Sequence, residues 1–195
     1  MFNLRIVKEY LQHRLKAKTR HGLHSPFVYR LVDEVFYDFE PKNVYTQIET
    51  TQGVVNQRKR VKKINRLLYR IINDRQPKDV ILLGKVSPIT EAYIKAGADN
   101  ATIHHGTDNF PTNPDIVLID TKRDFEAKEL LAQCFPHVNE HTLIILKNIY
   151  CTDGMKAVWS EVKANPQVTV TVDLFMVGLI YFRKGQVRED FWIRF

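Results

Sequence analysis

Apolar positions in the first third of the chain recur at helical spacing. Leu4, Val7, Tyr10, Leu11 and Leu15 form one stripe and predict an amphipathic helix over 3–18 with that stripe facing inward. The run Arg20-His21-Gly22-Leu23-His24-Ser25-Pro26-Phe27 breaks it, because Gly22 stops a helix and Ser25-Pro26 is an N-cap followed by proline at the first helical position. A second helix is expected over 26–37, with Phe27, Leu31 and Val35 inward. One or two more are expected over 44–74, where Ile64, Leu67, Leu68 and Ile71 keep the period.

From Lys78 the pattern changes to short apolar runs separated by helical stretches. Strands are expected over 79–83, 101–104, 115–119, 142–146, 168–174 and 179–183, with helices over 88–96, 124–135 and 153–164, and a closing segment over 191–195. Strands that alternate with helices imply right-handed crossovers and a parallel sheet covered on both faces. The last two strands lie too close together for a crossover and are expected to pair as an antiparallel hairpin. The expectation is an α/β fold: a Rossmann-like sheet of about six strands over 76–195, preceded by a basic helical arm over 1–75 packed on it. A parallel sheet closed by such a hairpin is the methyltransferase type of this architecture. Ligands of such sheets sit at the carboxyl ends of the strands, which places the candidate site near 84–87, 104–106, 120–122 and 147–150.

Specific stretches carry a resemblance. The Arg20–Val28 motif, Met155 to Trp159 on a helix, the run Val168-Thr169-Val170-Thr171-Val172-Asp173-Leu174-Phe175, Gly178 and the closing Phe191 to Phe195 resemble a bacterial family of class I S-adenosylmethionine-dependent methyltransferase-like proteins. The resemblance covers most of the chain. It implies S-adenosylmethionine as cofactor, with Gly84, Lys85, Ser87, His104, His105 and Asp120 as the cofactor-binding positions.

Those positions depart from the family pattern. An acid and a glycine-rich turn normally follow the first strand, because a Cβ would obstruct close approach of the backbone to a ligand. Here the stretch is Leu82-Leu83-Gly84-Lys85-Val86-Ser87-Pro88. The second strand normally ends in a carboxylate that accepts bonds from ribose hydroxyls. Here it ends in His104-His105, which cannot replace a bidentate acceptor, and Asp108 lies too far along to do so. Too few residues separate this strand from the next to hold a helix, a strand and another helix, since one crossover alone needs about a dozen. One edge strand and the loop that holds adenine are therefore expected to be missing, and cofactor binding weakened or lost.

Asp120 keeps the acidic position that metal-dependent relatives use, but Lys147-Asn148 follows the next strand and its ammonium opposes a divalent cation. No metal site is expected. Lys85 and Lys147 could together form a small basic pocket for an anion, beside the helix start near Pro88. His21 and His24 are read as local packing around the Ser25 cap, and Tyr150, Trp159, Phe182 and Trp192 as core or rim aromatics. Cys134 and Cys151 have no metal or redox spacing.

The charge of +7 is uneven: residues 1–75 carry 16 basic and 7 acidic side chains, and residues 76–195 carry 13 and 15. Arg58, Lys59, Arg60, Lys62, Lys63, Arg66 and Arg70 share a helix face, read as a solvated surface, with polyanion binding as the alternative. No apolar run reaches the ~18 residues of a membrane span, and the N-terminus lacks a secretory core, so a cytoplasmic location is expected. The functional expectation is a methyltransferase-like protein that has become degenerate. The alternative is a non-catalytic interaction or oligomerisation scaffold.

Overall fold

A computed structural model of the chain describes residues 4–53, 58–107 and 110–195. The expected helix start at Asn3, the middle of the 44–74 interval and Asp108 lie outside them. The arm contains α1 (Leu4–Lys16), α2 (Pro26–Arg30), α3 (Asn43–Thr51) and α4 (Lys59–Arg75). Ser25 caps α2 by accepting from the Val28 N–H at 3.4 Å. The helix continues through Leu31–Phe36 as a π-turn, in which the Tyr37 N–H donates to the Val32 carbonyl at 3.0 Å.

The remaining elements are β1 (Asp79–Gly84), α5 (Pro88–Gly97), β2 (Thr102–His105), β3 (Ile116–Asp120), α6 (Asp124–Cys134), β4 (Leu143–Lys147), α7 (Asp153–Ala164), β5 (Val170–Asp173), β6 (Val177–Tyr181) and β7 (Glu189–Trp192). They build one sheet in the order β2-β1-β3-β4-β6-β5-β7. The first four strands in that order are parallel, and β6 runs antiparallel to β4 and β5. All six expected strands are present. A seventh, β7, pairs parallel to β5 and extends the far edge, not the edge beside β2. Among the described residues no strand lies beyond β2.

Alternation along the central strands explains the layering. Val80, Leu82, Ile116 and Leu118 join one buried cluster with Val28, Leu31, Leu67 and Leu68 of the arm. Ile81, Leu83, Val117 and Ile119 point the other way, into a cluster with Leu131 of α6 and Val158 and Trp159 of α7. Arm and sheet therefore share a core.

Two expectations are corrected. The apolar stripe of α1 faces outward: Leu4, Leu11 and Leu15 are 80%, 58% and 87% exposed. Inward instead lie Arg5, Glu9 and His13, one helical turn apart. Arg5 donates to Asp153 at 3.0 Å and to the Tyr150 carbonyl at 3.0 Å, and Glu9 accepts from Lys156 at 2.8 Å. The polar groups offered by α7, and the buried Asp173 of the hairpin, outcompete the apolar stripe for the contact. The hairpin turn is also tighter than expected, since β6 starts at Val177. Phe175, at φ 68°, makes the turn while its N–H donates to the Asp173 carboxylate at 2.9 Å.

Candidate functional site

A cleft of about 810 Å³ opens at the carboxyl ends of β1, β3 and β4. At its back, Gly84 of β1 faces Asp120 of β3 in register. Gly84 has φ +79°, and a Cβ there would sit 2.5 Å from the Asp120 carbonyl oxygen. The Lys85 N–H donates to that same oxygen at 2.8 Å. The single glycine of this loop thus serves the contact between two strands, and Lys85 carries its side chain into the cleft lining.

Ser87 is the N-cap of α5, accepting from the Thr90 N–H at 3.4 Å and sharing a hydrogen bond with the Thr90 hydroxyl at 2.9 Å. Thr90 in turn donates to Asn65 of α4 at 3.0 Å. Asn65 lines the cleft, is 1% exposed, and its side-chain nitrogen has no partner among the described residues.

Asp120 occupies the cleft floor with both oxygens engaged. The Lys147 ammonium contacts one oxygen, and the Asn148 amide donates to the other at 3.0 Å. The same amide donates to the Thr121 carbonyl at 3.0 Å, and Asn148 adopts φ 64° to do so. Glu126, the other carboxylate of the lining, accepts from Thr121 and from Arg123 at 3.0 Å. The Arg123 guanidinium holds the Glu126 carboxyl below its ordinary pKa. Lys147 is therefore committed to Asp120 and does not join Lys85 in an anion pocket. Among the described residues no group of three or more His, Cys, Asp or Glu side chains converges to hold a metal.

The opposite wall is aromatic. Tyr150 and Phe175 stack with centroids 5.1 Å apart, and beneath them lies Asp173, fully buried. Asp173 accepts from the Tyr150 hydroxyl at 2.7 Å and from the Trp159 indole at 2.9 Å, while the Lys163 ammonium stands 3.7 Å away. Burial and the neighbouring Asp173 charge push the Tyr150 phenol well above its ordinary pKa, so it stays a donor and is unsuited to act as a base. This polar centre was not singled out from the sequence. Its signal is an aspartate inside an otherwise apolar strand, which in a buried setting demands donors.

The six positions named from the sequence separate into three groups. Lys85 and Asp120 line the cleft. Gly84 and Ser87 shape its back wall through the contacts above. His104 and His105 stand away from it on the edge strand β2: His104 Nε2 lies 2.8 Å from Asp79 Oδ1, and His105 Nε2 lies 3.5 Å from Glu91 Oε1. Cys134 is buried, which pushes its thiol up to about 12, and Cys151 is half-buried at the cleft rim.

The basic face of α4 is not simply solvated. Lys62 and Arg66 bond Glu49, each at 2.8 Å, and the buried Arg70 donates to the carbonyls of Val35 and Phe36 at 2.7 and 3.1 Å. No helix among the described residues is long and apolar enough to cross a membrane.

No family model matches the chain, and no curated protein matches it in sequence. Solved structures do match in fold. A SAH-bound methyltransferase of Podospora anserina superposes with a TM-score of 0.58 at 9% identity, covering 84% of this chain and 98% of that one. The O-methyltransferase of Bacillus cereus in complex with SAH gives 0.52 at 9% identity, covering 74% and 93%. The O-methyltransferase TomG of Streptomyces achromogenes, in complex with SAM and involved in tomaymycin synthesis, gives 0.51 at 10%, covering 80% and 95%. The protein has the fold of the class I S-adenosylmethionine-dependent methyltransferases, in a divergent form.

Proposed function

We propose that this is a methyltransferase-fold protein whose cofactor site has lapsed, acting by binding and not by methyl transfer. One observation carries the reading: among the described residues the sheet ends at β2, only ten residues join β2 to β3, and the tip of β2 presents His105 beside Glu91. A nucleoside needs a wall on that side and a carboxylate for its ribose. The other positions agree. Gly84 is filled by the Asp120 backbone and offers no cradle to a ligand, and the Asp120 carboxylate is saturated by Lys147 and Asn148. The residues present do not fit S-adenosylmethionine, and a divalent metal at Asp120 would have to displace an ammonium. Calorimetric titration with S-adenosylmethionine and S-adenosylhomocysteine is expected to give no saturable heat. Stoichiometric binding of either at micromolar concentration would overturn the reading.

A second reading, an interaction scaffold that self-associates, is favoured by the outward stripe of α1, where Leu4, Leu11 and Leu15 lie bare on a helix already anchored by Arg5, Glu9 and His13. Light scattering is expected to return a dimer or larger species for the intact chain and a monomer for the Leu11→Lys, Leu15→Lys variant. A strictly monomeric intact chain would remove this form of it.

A further inference from the structure

A second concavity lies between α4, α3 and the segment that follows α2. It is a groove of about 250 Å³, and five of its lining side chains are cations at positions 59, 62, 63, 66 and 70 of α4. Their spacing puts them on one helix face. Glu40 is the one carboxylate in the lining, and Glu49 behind it already bonds Lys62 and Arg66.

Three features there lack a counterpart. Arg70 is 6% exposed, its guanidinium bonds two backbone carbonyls, and among the described residues no carboxylate pairs with it. Buried charges ordinarily have a counter-ion. The nearby Asp38 carboxylate is bound to Lys42 at 3.0 Å. Lys63 stands 4.2 Å above the Phe195 ring, and burial together with repulsion from Arg70 and Arg14 lowers its ammonium pKa. Finally, among the described residues Arg66 Nε, a buried donor on the wall, has no hydrogen-bond partner, and the Tyr45 hydroxyl, only 3% exposed, faces the Arg70 guanidinium, itself a donor, so its own proton has no acceptor. Crowded cations and idle donors around a vacant volume are both relieved by one species, a compact oxyanion that accepts several hydrogen bonds.

We infer that this groove binds a phosphoryl-sized oxyanion, supplied as inorganic phosphate or as a small phosphomonoester. Lys59 and Lys63 supply ammonium donors at the mouth, Arg66 and Arg70 the guanidinium wall, and the Tyr45 hydroxyl a neutral donor from α3. The volume admits one phosphoryl group and a few carbon atoms, not a run of successive phosphates. Phe39, stacked on Phe195 with centroids 6.4 Å apart, offers an apolar surface beside the groove for the body of an ester.

The test is calorimetry of the intact chain with inorganic phosphate and with phenyl phosphate, at constant ionic strength in a chloride buffer. Saturable one-to-one binding is expected for at least one of them. Tighter binding of phenyl phosphate assigns the site to an ester, and equal affinities assign it to the free ion. Tyr45→Phe removes a hydroxyl whose proton has no acceptor among the described residues, so it should change the melting temperature little and weaken the anion about tenfold, the effect of one charge-assisted hydrogen bond. Lys63→Gln, at the mouth of the groove, should weaken it similarly in a protein that still folds. Absence of saturable heat with both anions overturns the inference, as does affinity unchanged in both variants. Retention of an oligonucleotide with steep salt dependence, without phosphate binding, overturns it in favour of a nucleic-acid surface.

Discussion

His13 of α1 and Asp173 at the end of β5 meet across 160 positions of chain: His13 Nε2 lies 3.1 Å from the Asp173 carbonyl oxygen and 3.1 Å from its Oδ1, with both residues buried. This contact docks the first helix on the hairpin, and the hairpin in turn presents Phe175 to the cleft. Docking of the arm and the shape of the cleft are thus coupled through one carboxylate.

Asp173→Asn is therefore expected to destabilise the protein by ~3–5 kcal/mol, because it leaves a buried set of donors short of a charged acceptor. Burial alone would raise the Asp173 pKa, but His13, the Tyr150 hydroxyl and Lys163 outweigh it and hold the carboxyl below its ordinary 3.8. A carboxyl whose folded-state pKa is depressed contributes stability that is present above the ordinary value and is lost as pH falls through the lower folded value. Urea denaturation across an acid series should show the intact protein losing stability below pH of about 4, and the Asn variant losing less. Parallel curves for the two would reject Asp173 as the titrating group.

Gly178 looks like a turn residue in the sequence, yet it sits within β6 opposite Asp173. A Cβ there would come 2.6 Å from Cη2 of Trp159, a ring that is itself 1% exposed. Gly178→Ala should cost ~1–3 kcal/mol by overpacking. It should also perturb the Trp159 fluorescence spectrum, since the indole must shift from its bond to Asp173. An unchanged spectrum with full stability would show that the ring has room.

The outward stripe of α1 makes the opposite prediction. Leu11→Ser and Leu15→Ser remove large apolar groups from a position the periodicity assigns to the core, where each would cost ~2–5 kcal/mol. With the side chains 58% and 87% exposed, each should stay within about 0.5 kcal/mol of the parent in dilute solution. Chemical denaturation at low protein concentration decides between the two assignments.

The same helix shows what the sequence could and could not convey. Its existence was legible from the 3.6-residue period, but its rotation was not, because the groups that hold Arg5, Glu9 and His13 belong to residues 150–173. The central strands were legible for the reverse reason: Val80–Leu83 and Ile116–Ile119 are apolar on both faces, and only a covered parallel sheet accommodates that. The shortened β2–β3 connection could be read from residue spacing alone. By contrast, β7 is not legible as a strand, since Glu189 and Asp190 blur the alternation and its partner β5 lies beyond all of β6 and a loop. The position of His104 and His105 at a strand end points to the cleft, whereas the cleft opens over β1, β3 and β4, away from that edge. Asn65 and the Asp173 centre depend on side chains from distant elements, and local spacing carries no trace of such convergence.

Two glycines at strand ends separate conformational cost from steric cost. Gly84 and Gly106 both have positive φ, +79° and +74°, but nothing lies within 4 Å of a Cβ at Gly106, whereas one at Gly84 strikes the Asp120 carbonyl at 2.5 Å. Gly106→Ala should cost ~1 kcal/mol, the penalty of a left-handed backbone for an L-residue. Gly84→Ala adds a collision with main chain that cannot rotate away, so a total near ~3 kcal/mol is expected. Relief requires β1 and β3 to part where the Lys85 N–H bonds Asp120. Urea denaturation of the two variants gives the ranking, and hydrogen exchange at the Lys85 amide should accelerate in Gly84→Ala alone. Equal costs for both would mean that the close approach of these strands is not a constraint on the cleft's back wall.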